Sequence, residues 1–274
     1  MPNIFKVKTH EGYVVKILND LLQNNIKTAC FNINCKGIKL RMMDPQQIVL
    51  LDLELEADCF AVYIFKGQEP LSIGINLSHL HKMLKPTKKK DSLQLFIDDT
   101  SPNDLGIKLI PNENNRVTTS FVKIHNMQNI DIDLPIGYSK PVLIPSGEFQ
   151  KMCKGLTHIS NLTHITSKGF LVRFSSDAGG VMKRYTDFGE TEDSEDEDSK
   201  IDESTEYTED FDTEQLTRIS KLAGLSKTIQ IYTKKDNPLL FRSSVGNLGK
   251  ISIYLKSKKL QEEESRSIQN EDDD

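Results

Sequence analysis

The sequence has few of the features that mark secreted, membrane-spanning or disulfide-stabilised proteins. Its four cysteines, Cys30, Cys35, Cys59 and Cys153, form no CxxC pair. The N-terminus lacks a basic region followed by an apolar segment, and no apolar run approaches the roughly 18 to 20 residues of a bilayer-crossing helix. We therefore expect an intracellular protein in a reducing compartment.

Motifs for nucleotide hydrolysis and nucleophilic catalysis are also absent. The chain has no GxxxxGK[ST] or GxGxxG loop, and the run around Ser146 lacks the first glycine of a nucleophile elbow, so we predict Ser146 as a helix N-cap. His79 and His81 lie two apart on a predicted helix, so their side chains diverge. We expect no enzyme, with no catalytic residue, no metal site and no cofactor, because convergent carboxylates or a His/Cys cluster are also missing.

Acidic charge is concentrated in two segments. The net charge is −5, but residues 190–210 hold 12 acids and one base, and residues 261–274 hold 7 acids and one base. The rest of the chain therefore carries 33 bases against 21 acids, a formal charge of +12. Both segments have almost no apolar content, so we predict a disordered insertion at 190–210 and a disordered tail at 261–274. A basic body of this kind is compatible with phosphate binding.

Alternating apolar and polar residues dominate the remaining sequence and predict a sheet-rich fold. Helical periodicity is confined to about 12–23, 77–85, 147–158 and 212–223. The run Ile33–Arg41 resembles Ile165–Arg173, each just after a predicted helix, which indicates two copies of one α+β domain. We predict an N-terminal domain at 1–124, an extended connector at 125–135 and a C-terminal domain at 136–260.

Each predicted helix places apolar residues on one face and at least one base on the other. No aromatic residue interleaves with these bases, which disfavours stacking on single-stranded bases and favours diffuse, sequence-independent contact with duplex phosphates. Plain solvated surface is the alternative interpretation for any one helix.

Three runs are distinctive: Cys30–Ile33 followed by Gly37 and Met43-Asp44, Ile73–Leu77 before a helix, and above all Pro145–Phe149 opening the third helix. They resemble runs of the proliferating cell nuclear antigen (PCNA) family of DNA polymerase sliding clamps. The resemblance implies an α+β clamp fold: two similar domains of antiparallel sheets with short inner helices, assembling as a closed ring. It also implies a homotrimer that encircles duplex DNA, slides along it and recruits replication and repair proteins, in a nucleus or a viral replication compartment.

The resemblance further implies three sets of site residues. The bases on the inner helices would face DNA: Lys16, Lys82, Lys85, Lys151, Lys154, His158 and Lys221, to which the helical face alone adds Arg218. A pocket for PCNA-interacting peptides of the polymerase, the clamp loader and other partners would be formed by Met43, Gln47, Ile48, Leu50, Ile132, Leu134, Pro135, Tyr138, Pro238, Tyr254 and Leu255. Edge strands at the subunit interface would contribute Val117, Ser120, Val122, Ile124, Val181, Lys183 and Tyr185.

Two departures from the family pattern bear on the peptide pocket. Gln47 stands where a histidine is common, and Lys256-Ser257 stands where the family usually has alanine-proline. Within the same fold, a subunit of a heterotrimeric checkpoint clamp is the main alternative. A monomeric processivity factor that contacts DNA directly is a further one.

Overall fold

The computed structural model describes residues 3–112, 116–128, 130–138, 140–189 and 207–272. Their contacts divide the chain into two compact units. Unit 1 comprises 1–132, 224–226 and 243–252, and unit 2 comprises 133–223, 227–242 and 253–274. Along the described residues, none of the helices combines the length and the apolar composition needed to cross a bilayer.

Unit 1 contains one continuous series of hydrogen-bonded antiparallel strands and two helices that pack against each other. Its elements are β1 (Asn3–Thr9), α1 (Gly12–Gln23), β2 (Thr28–Asn34), β3 (Gly37–Met43), β4 (Val49–Glu56), β5 (Val62–Phe65), β6 (Leu71–Asn76), α2 (Leu77–Leu84), β7 (Ser92–Asp98), β8 (Asp104–Ile110) and β9 (Thr118–Asn126). The strand order is β4-β3-β2-β6-β9-β8-β7-β1-β5.

The helices of unit 1 form where apolar side chains recur at helical spacing. Leu18, Leu21 and Leu22 of α1 are buried, and so are Leu77 and Leu80 of α2. The side chain of Asn76 accepts hydrogen bonds from the backbone N–H groups of residues 78 and 79, both at 3.1 Å, and so caps α2. The sheet side of the core is filled by alternate residues along the strands, whose side chains point inward. Leu51 and Leu53 of β4 are examples.

Unit 2 repeats the arrangement of strands and helices. Its elements are β10 (Val142–Pro145), α3 (Ser146–Leu156), β11 (Leu162–Lys168), β12 (Leu171–Asp177), β13 (Lys183–Gly189), β14 (Tyr207–Asp212), α4 (Thr213–Ile219), β15 (Thr228–Tyr232) and α5 (Lys258–Asp272). Two further strands, β16 (Leu239–Ser244) and β17 (Gly249–Leu255), have residues in both units. One sheet has the antiparallel order β13-β12-β11-β14.

The core of unit 2 is built on aromatic contacts beneath α3. The ring of Phe149 lies 5.4 Å from that of Phe241 and 6.1 Å from that of Phe174, measured between centroids, and all three side chains are fully buried. The helix begins at Ser146 itself, with Pro145 at the capping position and no side-chain cap. The prediction of Ser146 as N-cap is therefore wrong.

The predicted internal repeat falls on two matching hairpins, β2–β3 and β11–β12. In the first, Asn34 pairs with Gly37, and in the second Lys168 pairs with Leu171. Gly37 has a φ of 150°, and a Cβ there would lie 2.0 Å from the carbonyl oxygen of Leu55. Position 37 therefore requires glycine, because the backbone of Leu55 lies too close for any side chain.

The predictions for the two acidic segments need correction. The tail is not disordered over 261–272, because these residues belong to α5, whose Lys259–Glu263 and Glu262–Arg266 pairs have the i, i+4 spacing that supports a helix. Residues 207–210 of the predicted insertion are part of β14 and pair with β11. Residues 190–206 lie outside the described part of the chain.

Candidate nucleic-acid interface and partner-binding surfaces

The helix pair of unit 1 carries three of the predicted DNA-binding bases. Lys82 and Lys85 are exposed, and the described residues place no acidic group within ion-pair distance of either. Lys16 is half-buried and donates from Nζ to the carbonyl oxygen of Lys85 at 3.0 Å. Lys16 therefore joins α1 to α2 with the same ammonium group that was expected to contact phosphate.

A histidine and a carboxylate also join these two helices. His81 Nδ1 lies 2.7 Å from Asp20 Oδ1, and both side chains are partly exposed. Asp20 places an anion on the face that carries Lys16, so it offsets part of the positive charge there. This pair was not predicted from the sequence.

The other five predicted bases belong to unit 2: Lys151 and Lys154 lie on α3 and Arg218 on α4, whereas His158 lies in the turn after α3 and Lys221 in a 3-10 turn after α4. Lys154, His158 and Lys221 are exposed. Lys151 pairs with Glu148 at 2.8 Å, and Arg218 pairs with Glu214 one turn away. Because exposed pairs of this kind are weak, Lys151 and Arg218 remain able to exchange their carboxylate for a phosphate. The two helices contact each other through the hydroxyls of Thr157 and Thr217, 3.1 Å apart.

Sequence reasoning missed one base near this surface. Arg184 of β13 is exposed and donates from Nη1 to the carbonyl oxygen of Gly155 in α3 at 3.2 Å. No helical periodicity marks a base that reaches a helix from a neighbouring strand.

The predicted peptide-binding residues of unit 1 lie around the turn between β3 and β4. Asp44 Oδ1 accepts from the backbone N–H groups of Ile48 and Val49 at 2.7 and 2.8 Å, which fixes the turn. Gln47 is exposed with a φ of 57°, and Met43 and Ile48 are half-buried. Leu50 is only 6 % exposed, so it supports this surface from within the core.

Arg41 fixes the connector against unit 1 and was not predicted from the sequence. Its Nε donates to Asp52 Oδ1 at 3.0 Å, and its Nη1 donates to the carbonyl oxygen of Ile132 at 3.0 Å. The side chain of Ile132, a predicted pocket residue, is half-buried. A single basic residue in a strand is common on solvated sheet faces, so the sequence did not distinguish Arg41 from ordinary surface charge.

The predicted peptide-binding residues of unit 2 centre on Tyr138. Its ring lies 6.2 Å from that of Tyr254 and 6.3 Å from that of Tyr232, and its hydroxyl donates to the carbonyl oxygen of Pro238 at 2.8 Å. Burial raises the pKa of Tyr138, so the phenol stays protonated and keeps donating near neutral pH. Leu134 and Pro135 are half-buried, whereas Tyr254 and Leu255 are buried. Tyr232 was missed.

The predicted interface residues divide between the surface and the core. Over Thr118–Lys123 the described residues pair β9 with β8 alone, and no described strand pairs with the second edge of β13. Val117, Val181 and Tyr185 are 44 %, 83 % and 62 % exposed. Lys183 is exposed and Ser120 is half-buried beside these open edges.

Two of the predicted interface side chains do not reach the surface. Val122 and Ile124 are 4 % and 6 % exposed and belong to the core of unit 1, because side chains of a strand alternate between its faces. The residue that does project from β9 is Phe121, which is 58 % exposed and lies 6.1 Å from the ring of Phe96. On β13, the ring of Tyr185 lies 5.0 Å from the guanidinium of Arg173 in β12, which donates two hydrogen bonds to Asp187.

Comparison with known proteins accounts for both units. The family model of the proliferating cell nuclear antigen N-terminal domain matches residues 4–134, and that of the C-terminal domain matches residues 134–259. The chain belongs to the proliferating cell nuclear antigen family. The expected family and the α+β clamp fold of two similar domains are thereby confirmed, and the protein is a member of the sliding-clamp family.

A viral relative supports the same assignment over nearly the full length of this PCNA family member. The probable DNA polymerase sliding clamp 1 of Paramecium bursaria Chlorella virus 1 is 25 % identical over 257 residues, covering 92 % of this chain and 96 % of the relative. The matched ranges of the two family models meet at residue 134, one residue from the end of the predicted connector. Residues beyond 259, which include most of α5, lie outside both models.

Proposed function

We propose that this protein is a homotrimeric sliding clamp that encircles duplex DNA and holds polymerases and other replication and repair proteins on it. The observation that carries the proposal is the set of exposed bases on, or directly after, the helices of both units: Lys82, Lys85, Lys154, His158 and Lys221. Dispersed basic side chains favour weak, salt-screened contacts with the phosphate backbone, which permit sliding. The clamp needs no catalysis of its own, and a separate loader ATPase would open it.

Ring closure follows from the two open strand edges. We propose that β9 of one copy pairs with β13 of the next, placing Val117, Ser120 and Phe121 against Val181, Lys183 and Tyr185. Such a contact joins different surfaces of identical subunits, so it closes into a ring when the rotation between subunits permits. It also covers backbone groups and apolar side chains that would otherwise promote aggregation.

Partner recruitment is proposed at the surfaces around Gln47 and Tyr138. A short peptide with one aliphatic and two aromatic side chains suits the half-buried Met43, Ile48, Leu134 and Pro135, because such ligands bind by inserting anchors into apolar depressions. The partners would be the polymerase, the clamp loader and other proteins with PCNA-interacting peptides, in a nucleus or a viral replication compartment.

The test combines native mass with retention on circular and linearised plasmid. A topological clamp has three times the mass of the 31.1 kDa chain, stays on circles after loading and slides from free ends. A monomer retained equally on both forms indicates a direct-contact processivity factor. Trimer formation only after two different partner chains are added indicates a checkpoint-type subunit, and either result overturns the homotrimer.

A further inference from the structure

The C-terminal helix α5 is a feature of this chain that the family models do not cover. They end at residue 259, whereas α5 runs from Lys258 to Asp272. It begins three residues after Leu255, the last predicted peptide-binding residue. The segment that leads from this residue into α5 therefore borders the part of the peptide site that lies in unit 2.

Two lysines anchor the start of α5 to separate elements of unit 2, and a third lysine binds the helix itself. Lys258 pairs with Asp212 at the end of β14 at 2.6 Å, and Lys259 pairs with Asp236 at 2.7 Å. Lys256 pairs with Glu264 inside the helix at 2.6 Å. Between them, Ser257 is fully buried and its Oγ accepts from the N–H of Leu260 at 3.3 Å, as a helix cap does.

The anchor at Asp236 leads directly to the aromatic cluster of the candidate peptide site. Asp236 lies in the turn between β15 and β16 and has a φ of 57°, a left-handed conformation that costs free energy for a residue with a Cβ. Two residues later, the carbonyl oxygen of Pro238 accepts the hydroxyl of Tyr138. The turn thus carries an ion pair with α5 on one side and the partner of Tyr138 on the other.

The charges around this turn favour the ion pair over its competitors. The hydrogen bond between Lys259 and Asp236 lowers the pKa of Asp236 and raises the pKa of Lys259. Both groups are therefore charged near neutral pH. Lys234, in the same turn, donates instead to the carbonyl oxygen of Ile136 at 2.8 Å. Lys259 is therefore the base that hydrogen-bonds the Asp236 carboxylate; Lys235 adds a weaker electrostatic attraction, and Glu263 lies 3.9 Å from the Lys259 ammonium.

We propose that α5 positions the peptide site: Lys259, by holding Asp236, fixes the β15–β16 turn so that Pro238 orients Tyr138 for an incoming partner peptide. This inference rests on the proposed recruitment function and assigns Lys259 as a positioning residue. When the ion pair is lost, the turn relaxes from its left-handed conformation and the Pro238 carbonyl moves from the Tyr138 hydroxyl. The aromatic cluster then presents a different surface to the peptide.

The first test measures the affinity of a labelled peptide carrying one aliphatic and two adjacent aromatic residues for the full-length protein. Lys259→Glu should weaken binding by about two- to fivefold at low salt, the range expected for an exposed ion pair. The exchange Asp236→Lys with Lys259→Glu should restore it. Lys39→Glu, which breaks an exposed 2.8 Å pair with Glu54 in unit 1, is the matched control and should leave affinity unchanged.

Ionic strength distinguishes this role from a general loss of folding. At about 0.5 M salt, where the screening length is roughly 4 Å, wild type and Lys259→Glu should converge in affinity. Equal affinities of wild type and Lys259→Glu at low salt would overturn the inference while leaving recruitment intact. A deficit that persists in the charge exchange would overturn it as well.

A second measurement does not depend on peptide binding. With fluorotyrosine at position 138, the 19F resonance should shift in Lys259→Glu and return in the charge exchange, because the hydroxyl loses and regains its Pro238 partner. If no peptide binds the wild type, the recruitment proposal fails by itself, and this resonance still decides whether α5 orients Tyr138. An unchanged resonance in Lys259→Glu refutes the positioning role.

Discussion

The carboxylate of Glu11 accepts two hydrogen bonds from Asn247, one from its backbone N–H at 2.9 Å and one from Nδ2 at 2.8 Å. Glu11 immediately precedes α1, and Asn247 lies in the turn between β16 and β17. Both belong to unit 1, although they are 236 positions apart in the chain. The N-terminal unit is therefore completed by a hairpin from the C-terminal part of the sequence.

Glu11→Ala should lower the free energy of unfolding by about 0.5–1.5 kcal/mol, the usual net contribution of such hydrogen bonds. Urea denaturation monitored by circular dichroism measures the difference. Glu69→Ala, an exposed carboxylate in the loop before β6, is the control and should change stability by less than about 0.5 kcal/mol. Equal stabilities of Glu11→Ala and wild type would show that the Asn247 contact contributes nothing.

The elements predicted correctly from the sequence are those specified by local periodicity. The spacing of Val14, Ile17, Leu18 and Leu21 predicts α1 over 12–23, which are its bounds in the structure. By contrast, α5 lacks a continuous apolar stripe and is anchored by Lys258 and Asp212, which are 46 positions apart. Composition alone described that segment as disordered because its tertiary anchors are not visible locally.

Exposed site residues on helices were predictable from the sequence, because helical periodicity separates the buried face from the exposed one. Exposed site residues on strands were predicted less well. In β9, Ser120, Val122 and Ile124 lie on one face, whereas Phe121 and Lys123 lie on the other. The resemblance supplied residues from the inward face and passed over Phe121. Strand alternation in Val117–Ile124 separates the two faces, but which face is buried depends on tertiary packing, seen in the burial of Val122 and Ile124.

Replacing Lys82 and Lys85 together by glutamate should weaken retention of the loaded clamp on circular DNA. Each lost phosphate contact should reduce the slope of log affinity against log salt by about 0.9. The control is the double change Lys39→Glu with Lys250→Glu, since both lysines are strand residues of unit 1 that pair with Glu54. Equal losses in the two double variants would indicate a nonspecific effect of charge rather than contact at the helices.

Phe121→Asp should separate the trimer into monomers, because ring closure would bury a carboxylate in place of an exposed aromatic ring. The expected weakening is about 2 kcal/mol or more, roughly thirtyfold in the dissociation constant. Native mass spectrometry over a concentration series measures it. Ile64→Asp, another exposed apolar residue of unit 1 on β5, should leave the trimer intact.

Val122→Ala should behave differently from Phe121→Asp, although the two positions are adjacent. Because Val122 is buried in unit 1, its truncation should cost about 1–3 kcal/mol of folding stability through lost packing. The assembly state of the folded fraction should be unchanged. Dissociation of Val122→Ala without loss of stability would contradict its placement in the core.

The four cysteines should divide into two reactivity classes. Cys35 and Cys59 are exposed, whereas Cys30 and Cys153 are buried, and burial raises the pKa of Cys153 to about 12. Since the thiolate is the reactive form, Cys153 stays protonated at about pH 8, near the ordinary thiol pKa. A thiol reagent followed by mass spectrometry should therefore modify Cys35 and Cys59 rapidly in the native protein, and all four residues after denaturation. Rapid native modification of Cys153 would show that α3 opens from the aromatic core of unit 2, because this cysteine lies on the buried face of the helix beside Phe149 and Met152.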